Sequence, residues 1–265
     1  MKKFELTAEF VTNVFGKKLF RIKALVAFGN VEKGELGGFI EKEDNLSHGG
    51  NAWVYGDAWV SGDARVYGNA RVSGNAWVYG DAWVSGDARV YGNARVSGNA
   101  WVYGDAQVSG DARVYGNARV SGNAWVYGDA QVSGDARVSG NARVYGNAWV
   151  YGNARVSGDA QVSGDARVYG NAQVYGNARV SGNAQVYGNA DYAVVAGFGR
   201  YFRTTTFFRC KDKILRVQCG CFYGDLAQFR EIVKKTHGDS KYAKEYLAIA
   251  DLMELHFSDE CGGEQ

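Results

Sequence analysis

One hexapeptide repeats through the middle of the chain, and this repeat constrains the fold more than any other feature. From Asn51 to Gly188 there are 23 consecutive units of the form [N/D]-A-[W/R/Q]-V-[Y/S]-G, without an insertion. A short fixed period is typical of a solenoid, in which each repeat packs on its neighbours. A period of six does not match a helical turn, and a glycine in each unit costs a helix about 1 kcal/mol.

Each unit fits one short strand and one corner. The alanine and the valine are two residues apart, so both point into the solenoid, while the residue between them and the following Tyr or Ser point outward. Glycine and the next Asn or Asp tolerate the left-handed backbone angles of a corner. Three units therefore make one triangular coil, and successive coils pair their strands in parallel.

The spacing Val-x-Gly-[Asn/Asp]-Ala-x resembles the hexapeptide motif of left-handed parallel β-helices. The resemblance covers residues 51–188 and implies an all-β solenoid of seven to eight coils. At about 4.8 Å per coil, the prism would be roughly 35–40 Å long. Its interior would be columns of valine and alanine, so a carboxylate in place of the central Val114 should be strongly destabilising.

The segments on either side of the repeats predict caps. The open β edges of a solenoid template fibre growth unless they are covered. We therefore predict an N-terminal cap over residues 1–50, the β-helix over residues 51–190 and a C-terminal α+β cap over residues 191–265. Within the first cap, residues 17–30 alternate like a strand, and residues 45–50 resemble a degenerate hexapeptide.

The C-terminal cap is predicted to contain a β-hairpin and two helices. The runs "RYFRTTTFFRC" and "ILRVQCGCFYG" are rich in β-branched and aromatic residues and flank the turn "KDK". In "DLAQFREIVKKTHGD", one helical face carries Leu226, Phe229 and Val233, and Gly238 follows the end. The last helix, "SKYAKEYLAIADLMELHF", has four apolar residues at helical spacing: Tyr246, Ile249, Met253 and Phe257.

The flanks carry a second resemblance. The segment "LGGFIEKEDNLS" before the repeats, and "CGCF", "THGD" and "YLA" after them, resemble uncharacterised proteins common in phages and prophages of gut bacteria. Those proteins share this head, a hexapeptide body of variable length and this tail. The resemblance implies a phage accessory protein and assigns no chemistry. No signal peptide or membrane-spanning segment is evident, so we expect the protein in the cytoplasm of the bacterial host, away from membranes.

Left-handed β-helices are best known as acyltransferases and γ-type carbonic anhydrases, and the chain lacks the residues of both. Those transferases use a histidine base in the solenoid and loops that project from the coils, and those anhydrases ligate a metal with solenoid histidines. Here His48, His237 and His256 all lie outside the repeats, which have no insertion to form a cleft. We therefore predict a protein that is not an enzyme and has no cofactor.

The cysteines outside the repeats leave two interpretations open. Cys219-Gly-Cys221 lies near Cys210 and two histidines in the sequence. Structural zinc sites usually contain C-x₂₋₄-C pairs, so this spacing favours buried thiols in a hairpin over a metal site. The cysteines are too few for a dense disulfide framework, and reduced thiols are expected.

The two outward positions of the repeat predict the binding surface. The mid-strand position holds Trp seven times, Arg eleven times and Gln five times, and the other position holds Tyr twelve times and Ser eleven times. Trp, Tyr and Arg dominate the binding energy of protein interfaces. We predict that all seven tryptophans are exposed and that a partner contacts Trp53, Trp59, Trp77, Trp83, Trp101, Trp125, Trp149, Arg119, Arg137 and Arg155.

The outward residues have a longer period of their own. The order Trp-Trp-Arg-Arg recurs in blocks of four units, while one coil takes three, so pairs of tryptophans should stack on two of the three faces. Duplication of such a block explains this pattern without selection for a surface. Ladders of aromatic residues, and arginine over tryptophan, also stabilise a sheet. A purely stabilising role therefore stays open.

Three functions remain as hypotheses. A protein partner is favoured by the Trp, Tyr and Arg faces, and in a phage accessory protein this partner would be a host defence component, such as a CRISPR effector nuclease that the prism inhibits. Single-stranded nucleic acid is the second. Asp63 beside Arg65 argues against it, as does the near balance of 30 basic and 28 acidic residues. The third is a rigid spacer or virion component. The oligomeric state stays open.

Overall fold

The computed structural model describes residues 1–258, and a parallel β-solenoid of about eight turns forms its centre. Each hexapeptide contributes one two-residue strand, made of the outward mid-strand residue and its valine. These strands run from β4 (Trp53–Val54) to β26 (Gln185–Val186), one in each unit. Each pairs in parallel with the strand one coil away, as Trp53 pairs with Arg71. The predicted coil of three units is confirmed.

Three sheets run along the solenoid and define three faces. The first face is an eight-stranded sheet that begins with β4. The second face begins with β5 (Trp59–Val60) and belongs to an 11-stranded sheet. The third face is a seven-stranded sheet from β6 (Arg65–Val66) to β24 (Gln173–Val174).

The interior is as the pattern predicts. Every alanine and every valine of the repeats is wholly buried, including Val114. The corners bring backbones of successive coils together: Gly86 has φ +68°, and a Cβ there would lie 2.9 Å from the amide nitrogen of Gly104. Glycine is needed at such a corner both for its left-handed angle and for this close approach.

The N-terminal strands extend one face of the solenoid. The three strands are β1 (Phe4–Thr12), β2 (Lys18–Ala24) and β3 (Leu36–Ile40), and the central strand β2 is antiparallel to both of its neighbours. Strand β3 then pairs in parallel with β5, which places the first three strands in the sheet of the second face. The strand expected within residues 17–30 is therefore present.

The segment before the first full coil behaves as a partial coil. After a 3₁₀ turn at Glu43–Asn45, Leu46 is buried and forms a parallel bridge with Val66. The Asn45 side chain donates to the carbonyl oxygens of Gly62 and Ala64, at 3.0 and 2.8 Å. Residues 45–50 thus fill the place that a degenerate hexapeptide was expected to fill.

The C-terminal part is a four-stranded antiparallel sheet with two helices. After a 3₁₀ turn at Asn189–Asp191, the strands are β27 (Tyr192–Phe198), β28 (Arg203–Arg209), β29 (Leu215–Cys219) and β30 (Phe222–Asp225). The predicted hairpin corresponds to β28 and β29. The sequence pattern missed β27, and it merged β30 with β29 because only Gly220 and Cys221 form the turn between them.

The two helices agree with the prediction. They are α1 (Leu226–His237) and α2 (Lys241–Phe257). The Asp225 carboxylate caps the first helix by accepting a hydrogen bond from the backbone amide of Gln228 at 2.8 Å, and the Ser240 hydroxyl caps the second. The predicted apolar faces are buried, except that Leu226 is only half-buried. None of the helices in residues 1–258 is both long enough and apolar enough to cross a membrane.

Strand β28 joins the solenoid to the helices. Phe208 belongs to the solenoid core, as does Cys210 just beyond the end of the strand. Phe207 belongs instead to a separate core with α1 and α2. The Thr206 hydroxyl accepts from the backbone amide of Arg179 at 3.0 Å, at the last coil of the first face. The predicted boundaries at residues 50 and 190 stay predictions, and residues 259–265, with Cys261, lie outside the described part.

Candidate interaction surface

Trp53 is wholly buried, so the prediction that it is exposed was wrong. The N-terminal strands cover the first coil, and the rings of Phe4 and Phe28 pack edge-on against Trp53 at centroid distances of 6.3 and 5.3 Å. Its indole Nε1 has no hydrogen-bond partner among the described residues. Trp53 therefore belongs to the junction between the N-terminal strands and the solenoid, and a partner cannot reach it.

The other six tryptophans lie on the surface to different extents. Trp101, Trp125 and Trp149 are exposed to 37, 41 and 39 %. The three nearer the N-terminus, Trp59, Trp77 and Trp83, are half-buried. Accessible tryptophan surface is thus concentrated in the central and C-terminal coils.

The tryptophans stack on one another along the solenoid, as the period predicted. Trp59 lies 4.7 Å from Trp77 on the second face, and Trp83 lies 5.0 Å from Trp101 on the third, with near-parallel rings in both pairs. The Arg119 guanidinium lies 5.1 Å from the Trp101 ring centroid. The flat faces of Trp101 are therefore covered by its two neighbours in the column, and its edge faces solvent.

Arginine covers tryptophan on every face. In addition to Arg119, the guanidinium groups of four arginines lie 5.2–6.0 Å from ring centroids in the next or previous coil. The four pairs are Arg65–Trp83, Arg95–Trp77, Arg143–Trp125 and Arg167–Trp149. Cation–π pairs at exposed sites contribute about 0.5–1 kcal/mol each, so these contacts stabilise the solenoid.

The third face carries a row of three exposed arginines. Arg119 pairs in register with Arg137, and Arg137 with Arg155. Strand spacing places their Cα atoms about 4.8 Å apart. Among residues 1–258, none of the three forms an ion pair with a carboxylate. This row is the longest run of arginine on any face, since the first and second faces carry pairs.

A groove runs along the third face from Arg65 to Arg119, the first arginine of this row. Its volume is about 680 Å³. One wall is the mid-strand column Arg65, Trp83, Trp101 and Arg119, and the other is the corner column Asp63, Asp81, Asn99, Asn117 and Asp135. Trp83 and Trp101 form the apolar middle of the first wall, with an arginine at either end. The groove therefore offers aromatic edges, cations and carboxylates to one ligand.

Hydrogen bonds between coils fix the corner wall of the groove. The Asn99 amide donates to Asn117 at 3.3 Å, and the Asn117 amide donates to Asp135 at 3.0 Å. At the N-terminal end, a hydrogen bond from Lys42 lowers the pKa of the Asp63 carboxyl below its usual value. The repeat pattern assigns these Asn and Asp residues only to the corners and does not predict that they line a groove. Counting in steps of three units would have placed them in one column beside the tryptophans.

The cysteines and histidines lie in several separate environments. Cys210 is buried at the end of the solenoid, and burial raises its thiol pKa. Cys219 accepts a hydrogen bond from the Thr205 hydroxyl at 3.2 Å, while Cys221 is exposed. His48 pairs with Glu43 at the other end of the chain. Within residues 1–258, no three His, Cys, Asp or Glu side chains come together as a metal site would require.

The repeats are similar to a known solenoid family. Ten segments match the family model of the YdcK beta solenoid repeat. They are residues 64–80, 70–86, 88–104, 106–118, 112–128, 130–146, 136–152, 148–164, 160–172 and 172–188. The match lies within the coils and supports the β-solenoid fold. No curated protein matches the chain.

Proposed function

We propose that the chain is a non-enzymatic interaction protein whose third face binds a protein partner. The observation that carries this proposal is the Trp83–Trp101 stack, which lines a groove together with Arg119 and continues into the row of three arginines that Arg119 begins. Clustered Trp and Arg residues supply much of the binding energy at protein interfaces. Of the predicted contact residues, we retain Trp83, Trp101 and the arginines Arg119, Arg137 and Arg155 as the centre of the site.

The geometry favours a protein over single-stranded nucleic acid. Bases bind such proteins by stacking on the flat faces of aromatic rings. Both flat faces of Trp101 are covered, by Trp83 and by Arg119. Carboxylates at Asp63 and Asp135 also line the groove and repel phosphate. A protein can instead contact the indole edges and place its own carboxylates on the arginine row.

The same surface supports a binding role more than a catalytic one. The repeats contain no His, Cys, Lys or Glu. General acid–base catalysis near neutral pH usually relies on such groups. The groove is also open along its length, whereas a catalytic cleft encloses its substrate.

The resemblance of the flanking segments to phage proteins gives the proposal a sharper form. In this form the partner is a bacterial host defence factor, such as a CRISPR effector nuclease, and the chain acts in the host cytoplasm as an anti-CRISPR inhibitor. The test is the plating of a targeted phage on bacteria with an active CRISPR system, with and without the chain. Inhibition of the CRISPR system raises the plating efficiency. An unchanged efficiency contradicts the proposal that this CRISPR system is the target, but it does not contradict the proposed binding surface.

Binding itself is tested with two charge-matched variants. Arg137→Gln with Arg155→Gln removes two stacked arginines from the third face. Arg71→Gln with Arg89→Gln removes a stacked pair from the first face and is the control. We expect a tagged parent and the control to recover the same host protein, and the third-face variant to recover at least tenfold less. Equal recovery by all three proteins contradicts the proposed surface.

A rigid spacer is the second candidate, and the arginine–tryptophan contacts on every face favour it. A ladder that only stiffens the prism needs no partner. Under this alternative, removal of the Trp101 ring in Trp101→Ser lowers the thermal stability and leaves partner recovery unchanged. Under the binding proposal, recovery falls while the folded coil persists.

A further inference from the structure

The C-terminal part contains a cavity of its own, separate from the third face. Its volume is about 200 Å³. It lies where the β27–β28 turn and the β29–β30 turn meet α1 and α2. Its apolar wall consists of Phe222, Phe229, Ile232 and Val233. A cavity with this wall accepts a compact apolar group about the size of one aromatic ring.

Two arginines lie at the cavity, one on the turn between β27 and β28 and the other at the start of β28. Arg200 and Arg203 lie 5.5 and 5.0 Å from the ring centroid of Tyr201, and all three line the cavity. Within residues 1–258 neither guanidinium has an ion pair. Glu245, a carboxylate that contacts this turn, accepts from the Gly199 amide at 2.9 Å and pairs with Lys241 at 3.6 Å. The positive charges beside the cavity therefore remain available to an anion.

Two glycines allow the turns to close on the cavity. A Cβ on Gly199 would lie 2.2 Å from the Tyr246 hydroxyl, and a Cβ on Gly220 would lie 2.6 Å from Nη1 of Arg203. Both glycines have left-handed angles, at φ +72° and +60°. The Arg203 guanidinium thus lies against the turn formed by Gly220 and Cys221.

The inner end of the cavity presents a neutral hydroxyl. Burial is the main cause that raises the pKa of Tyr246 to about 12, so its hydroxyl stays protonated near neutral pH. The ring of His237 stacks on that of Tyr246 at 5.8 Å. Among the described lining residues, the permanently charged groups are therefore the two guanidinium groups of Arg200 and Arg203.

We propose that this cavity binds a small organic acid with an aromatic or branched apolar body. The body packs among Phe222, Phe229 and Ile232, and the carboxylate binds Arg203 with support from Arg200. The planar guanidinium matches a carboxylate with two parallel hydrogen bonds. A purely apolar ligand would not pair with the charges of the two arginines, and inorganic phosphate would not contact the apolar wall. This site does not depend on the function proposed for the third face.

The test measures acids against their own amides on the purified full chain. Phenylacetate, indole-3-acetate and the branched acid 4-methylpentanoate are titrated by calorimetry and by ligand-observed NMR, each beside its neutral amide. We expect at least one acid to bind tenfold or more tightly than its amide, because only the acid engages the guanidinium groups. The proposal is overturned if no acid binds more tightly than its amide.

Two variants locate the binding. Arg203→Gln should reduce the affinity of the acid to that of the amide, and Ile232→Trp should abolish binding of both by filling the cavity. The matched controls are Arg89→Gln on the first face and Ile214→Trp, two exposed positions outside the cavity. Melting curves verify that each variant is folded. Unchanged acid binding in Arg203→Gln assigns the binding elsewhere and refutes the site.

Discussion

Trp53 allows the sharpest test of how the solenoid is sealed, through the substitution Trp53→Ala. A buried tryptophan removes up to about 250 Å² from water, which corresponds to about 6 kcal/mol at about 25 cal/mol per Å². Its Nε1 has no partner in the described part of the chain, and an unsatisfied buried donor costs about 1–3 kcal/mol. The net loss on truncation should therefore be about 3–5 kcal/mol, as is usual for buried tryptophan.

Two further variants separate burial from the indole nitrogen. Trp53→Phe keeps most of the ring and removes the unpartnered donor, so we expect a loss of less than about 1.5 kcal/mol. Trp101→Ala removes the same side chain from a site that is 37 % exposed. It leaves no sealed cavity, and we expect a loss of about 1–2 kcal/mol from its stacking contacts.

The assay combines urea unfolding with hydrogen exchange. Repeat proteins unfold in parts, so unfolding is followed both by far-UV circular dichroism and by the amide hydrogen exchange of peptides from the N-terminal strands and the first coil. In Trp53→Ala these peptides should lose protection while the central coils keep theirs. If Trp53→Ala and Trp101→Ala have the same stability and the same exchange pattern, the N-terminal strands do not seal the solenoid through Trp53.

Three more predictions concern the interior, the corners and the pH dependence. Val114→Asp buries an unpaired carboxylate and should cost several kcal/mol. A melting temperature equal to that of the parent contradicts the inward assignment. Gly86→Ala, which places a Cβ 2.9 Å from the next backbone, should lower the urea midpoint more than Gly176→Ala, where a Cβ meets nothing within 4 Å. Burial lowers the pKa of Lys3 to about 8 from 10.5, so between those values the unfolded chain holds a proton that the folded chain lacks, and stability rises with pH. From about pH 7.5 to 9.5 the free energy of unfolding of the parent, measured in urea, should rise by about 2 kcal/mol relative to that of Lys3→Met. If the free energies of unfolding of the two proteins change in parallel with pH, the lowered pKa of Lys3 is refuted.

The solenoid was predictable because one local rule repeats without exception. Alanine and valine two residues apart fix which side faces inward, and glycine fixes the corner, so no long-range information is needed. The pairing of Trp83 with Trp101 followed from counting three units to a coil. The left-handed sense of the coils stays a prediction from the resemblance.

The burial of Trp53 could not be predicted by the same rule. The unit "NAWVYG" occurs around Trp53 and again around Trp101, with identical letters. One ring is buried and the other is exposed, because Phe4 and Phe28 reach the first coil from a distant part of the chain. Repeat sequences specify the inside of a coil, whereas the capping segments decide which outward residues stay accessible.

The four-unit order of the outward residues explains most of the contacts between coils. In the order Trp-Trp-Arg-Arg, a step of one coil, or three units, leads from the first tryptophan to an arginine. The same step leads from the second tryptophan to the first tryptophan of the next block. Trp77 accordingly meets Arg95, and Trp83 meets Trp101. Copying alone is therefore sufficient to produce these ladders, so the four-unit order by itself does not distinguish a binding surface from a stabilising one.

Arg155 departs from the copied order, and this departure creates the arginine row. It occupies the second position of its four-unit block, where earlier blocks carry Trp83 or Gln131. Arg155→Trp restores the copied order and gives Arg137 a ring to cover, so the melting temperature should be unchanged or higher. If the row was selected for binding, partner recovery falls at least tenfold in this fully folded variant. Full recovery shows that the row of Arg119, Arg137 and Arg155 is incidental, and that partner binding depends on other outward residues.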